Sequence, residues 1–314
     1  MKKIVCALLL VMSLTACGTG TDTTEDSGKL QVVTSFYPIY LLAQAVTEGA
    51  EHMELVNMAQ PQTGCLHDYE LTIADMKVLE GADVLIINGG GMEGFLEQAV
   101  ERYPDLAIVD TSHGIELLEE KEHHHHEGET ADEHDAHAGH DHEGNPHIWL
   151  SPEKAALQVE NIAAALRELD EKDAAVFTSN AEAFHAAAHG LQEKSHEIGI
   201  PEGMHTAVFH EGFVYLAELF RMESVFGIFA DEYQMPSAKE LTEAVDEARG
   251  HNIRFFLTAD DNGKIYAETL AGEVGETIIL LDPLTTADED DLSYIERMQK
   301  NIEAVEKYWK EGTE

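Results

Sequence analysis

The chain is 314 residues long and carries 61 Asp and Glu against 19 Lys and Arg, a formal net charge of −42. Such an acidic balance cannot neutralise a phosphate backbone, so nucleic acid is excluded as a partner, and the 18 histidines narrow the favoured cations to metals. The length suits two domains, and an apolar fraction of 44% gives each a core to bury.

In chain order, the leader comes first. Residues 1–17 read MKKIVCALLLVMSLTAC, with a basic start at Lys2 and Lys3 and a short apolar run from Ile4 to Leu14. A run that short does not span a bilayer and reads as an export signal. Its end, Leu14-Thr15-Ala16-Cys17, resembles the bacterial lipobox, in which the cysteine is lipidated and becomes the mature N-terminus. Cys17 is therefore the expected lipidation site, with residues 18–29 a small, polar tether. Cys6 also lies in the leader, so the mature body keeps only Cys65 and no internal disulfide.

From residue 30 short β-rich runs alternate with helical stretches. LQVVTSF (30–36), MELVN (53–57), DVLIIN (83–88) and LAIVD (106–110) read as strands, with helical spacing over 38–48, 69–80 and 92–102. The plan then repeats. HTAVF (205–209), SVFGIFA (224–230), IRFFLT (253–258) and TIILL (277–281) read as strands, with helices near 212–222, 236–249, 264–274 and 290–310. This alternation predicts an α/β protein of βαβ units with parallel sheets. Between the halves, residues 153–200 are helical in pattern, with a bend expected at 170–173. The part over 172–197 predicts either one long helix joining two lobes or one arm of a helical hairpin. The expected division is a lobe at 30–169, a linking helix at 170–199 and a second lobe at 200–314.

Residues 119–145 are compositionally foreign to this pattern. They hold ten acids and the histidines His123, His124, His125, His126, His134, His137, His140 and His142, with almost nothing apolar. Such a segment is expected to be a loop whose neutral imidazoles collect zinc-type ions weakly.

Ligands of open α/β sheets sit beyond the carboxyl ends of the strands. His67 follows MELVN through a short loop, His147 ends the acidic segment, His210 directly follows HTAVF, and Asp282 directly follows TIILL. Each alone reads equally as a cap, and Asp282 before Pro283 as a turn former. His52, His113, His185, His189, His196, His205 and His251 have no such position and read as surface or packing residues. Glu93, after Gly89-Gly90-Gly91, reads as a helix-start acid.

The order of Phe36-Tyr37-Pro38, Leu66-His67-Asp68-Tyr69-Glu70, Asn88-Gly89, Asn145-Pro146-His147-Ile148-Trp149-Leu150, Phe209-His210 with Tyr215, and Leu281-Asp282-Pro283-Leu284 resembles the solute-binding lipoproteins of bacterial zinc and manganese ABC importers, of the zinc-uptake receptor type. The resemblance implies two α/β lobes with parallel sheets, joined by a long rigid backbone helix, with one metal in the cleft between them. It carries the metal role onto His67, His147, His210 and Asp282, with Zn²⁺ as the transported ligand. The implied setting is a monomer, lipid-anchored on the extracytoplasmic face, with an ABC permease and its ATPase as partners. The usual proline-glycine before the first histidine is replaced here by Pro61-Gln62-Thr63-Gly64-Cys65. The rivals are a manganese-preferring receptor, a surface adhesin or metal buffer, and a zinc hydrolase. No HExxH supports the last, and the chain is expected not to be an enzyme.

Overall fold

A computed structural model describes residues 28–59, 66, 69–119, 144–227, 237–260, 262–287 and 290–312. The leader with Cys17, the eight histidines of the acidic loop, Cys65 and His67 lie outside the described residues.

Two four-stranded parallel sheets form the frame. In the first, β1 (Leu30–Thr34), β2 (Met53–Asn57), β3 (Val84–Ile87) and β4 (Ala107–Asp110) lie in the order β2-β1-β3-β4. In the second, β5 (Met204–Val208), β6 (Met222–Gly227), β7 (Phe255–Thr258) and β8 (Thr277–Leu280) lie in the same relative order, β6-β5-β7-β8. The order reverses direction between β1 and β3 and again between β5 and β7, which is where such sheets open a crevice at their carboxyl edge. Among the described residues all six strand pairings are parallel, and most of the inner strands are covered on both faces, so they read as runs such as VLII and FFLT.

Alternate residues of these strands serve different cores. Val84 and Ile86 point to a core that runs through both lobes, while Leu85 points to an outer cluster with Leu79 and Leu96. In the second sheet Phe255 and Leu257 join the shared core, and Phe256 joins the outer cluster with Tyr266 and Leu270. This is the period-two alternation of a strand, with both faces apolar.

The helices are α1 (Tyr37–Thr47), α2 (Ile73–Glu80), α3 (Glu97–Val100), α4 (Pro152–Leu169), α5 (Ala174–Glu197), α6 (Phe213–Leu219), α7 (Ala238–Gly250), α8 (Asn262–Val274) and α9 (Tyr294–Glu311). α5 is the spine. Its 24 residues span about 36 Å at about 1.5 Å each, and it packs on α1 and α4 of the first lobe and on α6 and α9 of the second. Phe177, Phe184 and Leu191 line its buried stripe and join the shared core. A continuous core through both lobes resists free hinging, since interiors are close-packed. α4 and α5, joined by the turn at 170–173, pack on each other as a helical hairpin, and the second arm, α5, also reaches the second lobe.

Several starts follow local chemistry. Thr72 with Asp75, Ser237 with Glu240 and Ser293 with Glu296 form reciprocal capping boxes, which is why α2 and α9 begin later than apolar periodicity alone suggests. The helix expected over 92–102 shrinks to four residues behind a 3-10 turn at Gly94–Leu96. Gly89, Gly90 and Gly91 all have positive φ before it, and Glu93 is buried rather than capping. Among the described residues, no helix is long and apolar enough to cross a membrane.

Candidate metal centre

His147 and His210 meet at the carboxyl edge of the second sheet. His210 stands two residues beyond β5, beside the β5–β7 reversal, and His147 immediately precedes a buried 3-10 turn, Ile148–Leu150. Their ring centroids are 5.5 Å apart with planes at 81°. Two imidazoles on one zinc, with Zn–N of about 2.0–2.1 Å, place their rings about 5 Å apart, so this spacing suits a shared ion.

Asn145 orients His147. Its Nδ2 donates to the Glu211 carbonyl (3.0 Å), which fixes the amide so that Oδ1 faces His147. Oδ1 then accepts both the His147 backbone N–H (3.0 Å) and its ring Nδ1–H (2.9 Å). A neutral imidazole donating through Nδ1 carries its lone pair on Nε2, the nitrogen then suited to a metal. The Asn145 carbonyl accepts from the Tyr215 hydroxyl (2.6 Å), which in turn accepts Leu118 N–H (3.0 Å). Burial pushes the Tyr215 pKa up to about 12, so the hydroxyl stays protonated and donating. Asn145 N–H also donates to the Leu118 carbonyl at 2.8 Å. The two ends of the histidine-rich loop are therefore pinned together two residues from His147.

His210 is held differently. Its Nδ1 accepts the Gly212 N–H at 3.1 Å, and its ring stacks on Phe213 at 4.8 Å. Gly212 is needed for this approach. A Cβ there would sit 2.6 Å from Leu150 Cδ1 and 2.8 Å from His147 Cβ. Trp149, 1% exposed, stacks obliquely on His147 at 5.0 Å and donates from Nε1 to the Pro283 carbonyl at 3.0 Å. Tyr294 of α9 donates to the Trp149 carbonyl at 2.7 Å.

That link leads to Asp282, whose carboxylate is engaged. Arg297 of α9, 2% exposed, donates Nε to Oδ2 and Nη2 to Oδ1, both at 2.7 Å. Oδ1 also accepts Leu284 N–H at 2.7 Å, and Leu284 has φ of 62°, so Asp282 is a turn former as well. Asn301 completes the clamp, accepting Asp282 N–H and donating to its carbonyl. Arg297 also lies over the Tyr37 ring at 5.7 Å, a contact across the lobes.

Glu93 departs from its expected role as a helix-start acid. It is 6% exposed and accepts Ser35 Oγ–H (2.7 Å), Asn88 N–H (2.6 Å) and Gly89 N–H (3.0 Å). It ties the ends of β1 and β3 together at the reversal of the first sheet. Asn88 extends the tie by donating to the Pro146 carbonyl at 2.9 Å. Sequence patterning missed Asn145, Gly212 and Arg297. The available signals were an asparagine two residues before a histidine and an arginine at a core position of α9.

The family model for the periplasmic component A of the zinc-uptake complex, ZnuA, matches residues 32–308. Over 96% of the chain it is 29% identical to the high-affinity zinc uptake system protein ZnuA of Bacillus subtilis, covering 95% of that protein. It is 28% identical over 97% of its length to the zinc-binding lipoprotein AdcA of Streptococcus pneumoniae serotype 4, of which it spans only 60%. Among solved structures, a crystal structure of ZnuA aligns with TM-score 0.69 at 24% identity, covering 89% of this chain and 98% of that one. The laminin-binding protein Lmb of Streptococcus agalactiae aligns with TM-score 0.72 at 23% identity, covering 89% and 99%. These structural likenesses carry the two-lobed fold. With its two parallel-sheet lobes, its spine helix and a family match across nearly the whole body, the chain belongs to the ZnuA family of zinc-uptake complex components.

Proposed function

We propose that the chain is an extracytoplasmic receptor that captures Zn²⁺ between its lobes and delivers it to an ABC permease and its ATPase. Acyl chains on Cys17 would hold it, as a monomer, on the extracytoplasmic face of the cell membrane. His67, His147 and His210 would ligate the ion, with Asp282 supplying a carboxylate to the same site. The observation that carries this is the pair His147 and His210, 5.5 Å apart, with His147 aimed by Asn145. Imidazole nitrogens favour zinc over manganese, which wants more oxygen donors. The family match to a zinc-uptake component supports binding over hydrolysis.

The two histidines would act differently during capture. His147 already donates through Nδ1, so Nε2 can ligate without a change of tautomer. His210 accepts at Nδ1 from Gly212, which leaves its proton on Nε2. Ligation through Nε2 as a neutral imidazole requires that proton to move to Nδ1, at the cost of the Gly212 hydrogen bond. His210 is thus the ligand that makes and breaks. It sits on the second lobe, so a small shift of that lobe would release the cargo. The histidines at 123–126, 134, 137, 140 and 142 lie in the sequence between Leu118 and Asn145, which pair with each other, and would gather Zn²⁺ weakly.

Competition titration of the full chain against a strong chelator tests this, run with Zn²⁺ and Mn²⁺ at equal free metal, alongside zinc uptake with the cognate permease. One tight zinc site, weaker manganese binding and permease-dependent uptake are expected. Tighter manganese binding, or tight zinc without uptake, would favour the manganese receptor or the metal buffer respectively.

A further inference from the structure

A second cluster lies at the opposite edge of the first sheet, where β2 begins rather than ends. His52 directly precedes β2, Asp170 directly follows α4, and Asp173 directly precedes α5. One potential ligand atom from each falls within 4.8 Å of the others. With β2 five residues long at about 3.3 Å per residue, this point is about 17 Å from the carboxyl edge. It is separate from the centre built on His147 and His210.

The arrangement is partly tied down and partly unfinished. Asp173 Oδ2 accepts Glu51 N–H and His52 N–H, both at 2.9 Å, and faces His52 Nδ1 at 3.1 Å. These amide bonds hold the Asp173 carboxyl below the usual carboxylate range, so it stays charged. Asp170 Oδ1 accepts Lys172 N–H at 3.0 Å. Asp170 Oδ2, on a residue only 9% exposed, is buried and accepts no hydrogen bond among the described residues. A buried carboxylate oxygen with no donor is costly, and such orphans call for a ligand.

We propose that His52, Asp170 and Asp173 form a second site for a divalent transition-metal cation, of which Zn²⁺ is the one this chain meets. Two carboxylates match the charge of the ion, and one imidazole biases the set away from calcium and magnesium toward zinc-type metals. Donors on one zinc lie about 3.3 Å apart. The set therefore has to contract, and the His52 side chain, 41% exposed, has room to move. Occupied, the site would give Asp170 Oδ2 its partner and fasten the α4–α5 turn to the start of β2. The spine helix would then be stapled to the first lobe.

The test is zinc-edge anomalous diffraction from crystals of the full chain grown with Zn²⁺. A second peak is expected within bonding distance of all three residues, besides any peak at His147 and His210. Asp170→Asn, which keeps the Lys172 acceptor and the side-chain shape, should abolish the second peak and leave the first. Should that variant fail to fold, His52→Ala at a half-exposed ring serves the same purpose. A peak at the cleft alone, or a second peak that survives the substitution, overturns the proposal. A missing cleft peak with the second present would instead count against the cleft assignment.

Discussion

The side-chain oxygen of Asn145 accepts two hydrogen bonds from His147, one from its backbone and one from its ring. The same asparagine donates to the Glu211 carbonyl, next to His210, so one residue sets the relative position of both histidines. Asn145→Ala should lower zinc affinity about 10–100-fold, the usual effect of losing an outer partner of a metal-binding histidine. Chelator competition checks it, and unchanged affinity would show that His147 is oriented by other contacts.

Gly212→Ala should harm both stability and binding. The backbone itself tolerates alanine, since φ is −66°, so the effect is purely steric. The added Cβ would approach His147 Cβ to 2.8 Å and Leu150 Cδ1 to 2.6 Å, both on a buried segment. A loss of about 1–3 kcal/mol is expected from such overpacking, with weaker zinc binding as His147 is displaced. Urea unfolding with parallel metal titration separates the two effects.

Asp282→Ala should cost more in stability than in zinc affinity. It strands the Arg297 guanidinium, 2% exposed, without its carboxylate, and breaking a buried pair costs about 3 kcal/mol or more. Zinc can take a water in a fourth position, so the histidines would retain much of the affinity. Release of zinc, followed by stopped flow, should speed up because Arg297 also bridges to Tyr37 of the other lobe. Complete loss of zinc binding in a folded variant would make Asp282 an essential ligand.

Glu93 gives a pH dependence of defined sign. Burial pushes its carboxyl up to about 7 from 4.5, against the lowering effect of its hydrogen bonds from Ser35, Asn88 and Gly89. Between those values the folded chain holds the proton more tightly than the unfolded one, so this group's contribution to stability falls as pH rises through the interval. At about 1.4 kcal/mol per unit the fall is up to about 3.5 kcal/mol. The stability of the wild type relative to Glu93→Gln should therefore drop between pH 5 and pH 8 in urea unfolding. A constant difference would mean that Glu93 is ionised throughout.

The strands were legible because parallel strands covered on both faces are written as short apolar runs, as in VLII and FFLT. β6 begins two residues before the expected run because Arg221, with φ of 57°, turns the chain there. The rule that ligands gather at strand ends singled out His210, and the structure brings its ring to 5.5 Å from that of His147. The supports of these histidines were not legible. The Arg297–Asp282 fork joins residues 15 apart across a loop, and His52 reaches Asp173 over 121 residues, separations that no local pattern encodes. His52, expected to be a surface or packing residue, is tied to Asp173 at the start of the spine.

The central claim is that three histidines make one tight zinc site in the cleft. Chelator competition on His67→Ala, His147→Ala and His210→Ala, with His185→Ala as the control on α5, tests it most directly. Each of the three should lose more than the about 10–100-fold that removal of an outer partner costs, while His185→Ala keeps wild-type affinity. Wild-type affinity in His147→Ala or His210→Ala would contradict the account.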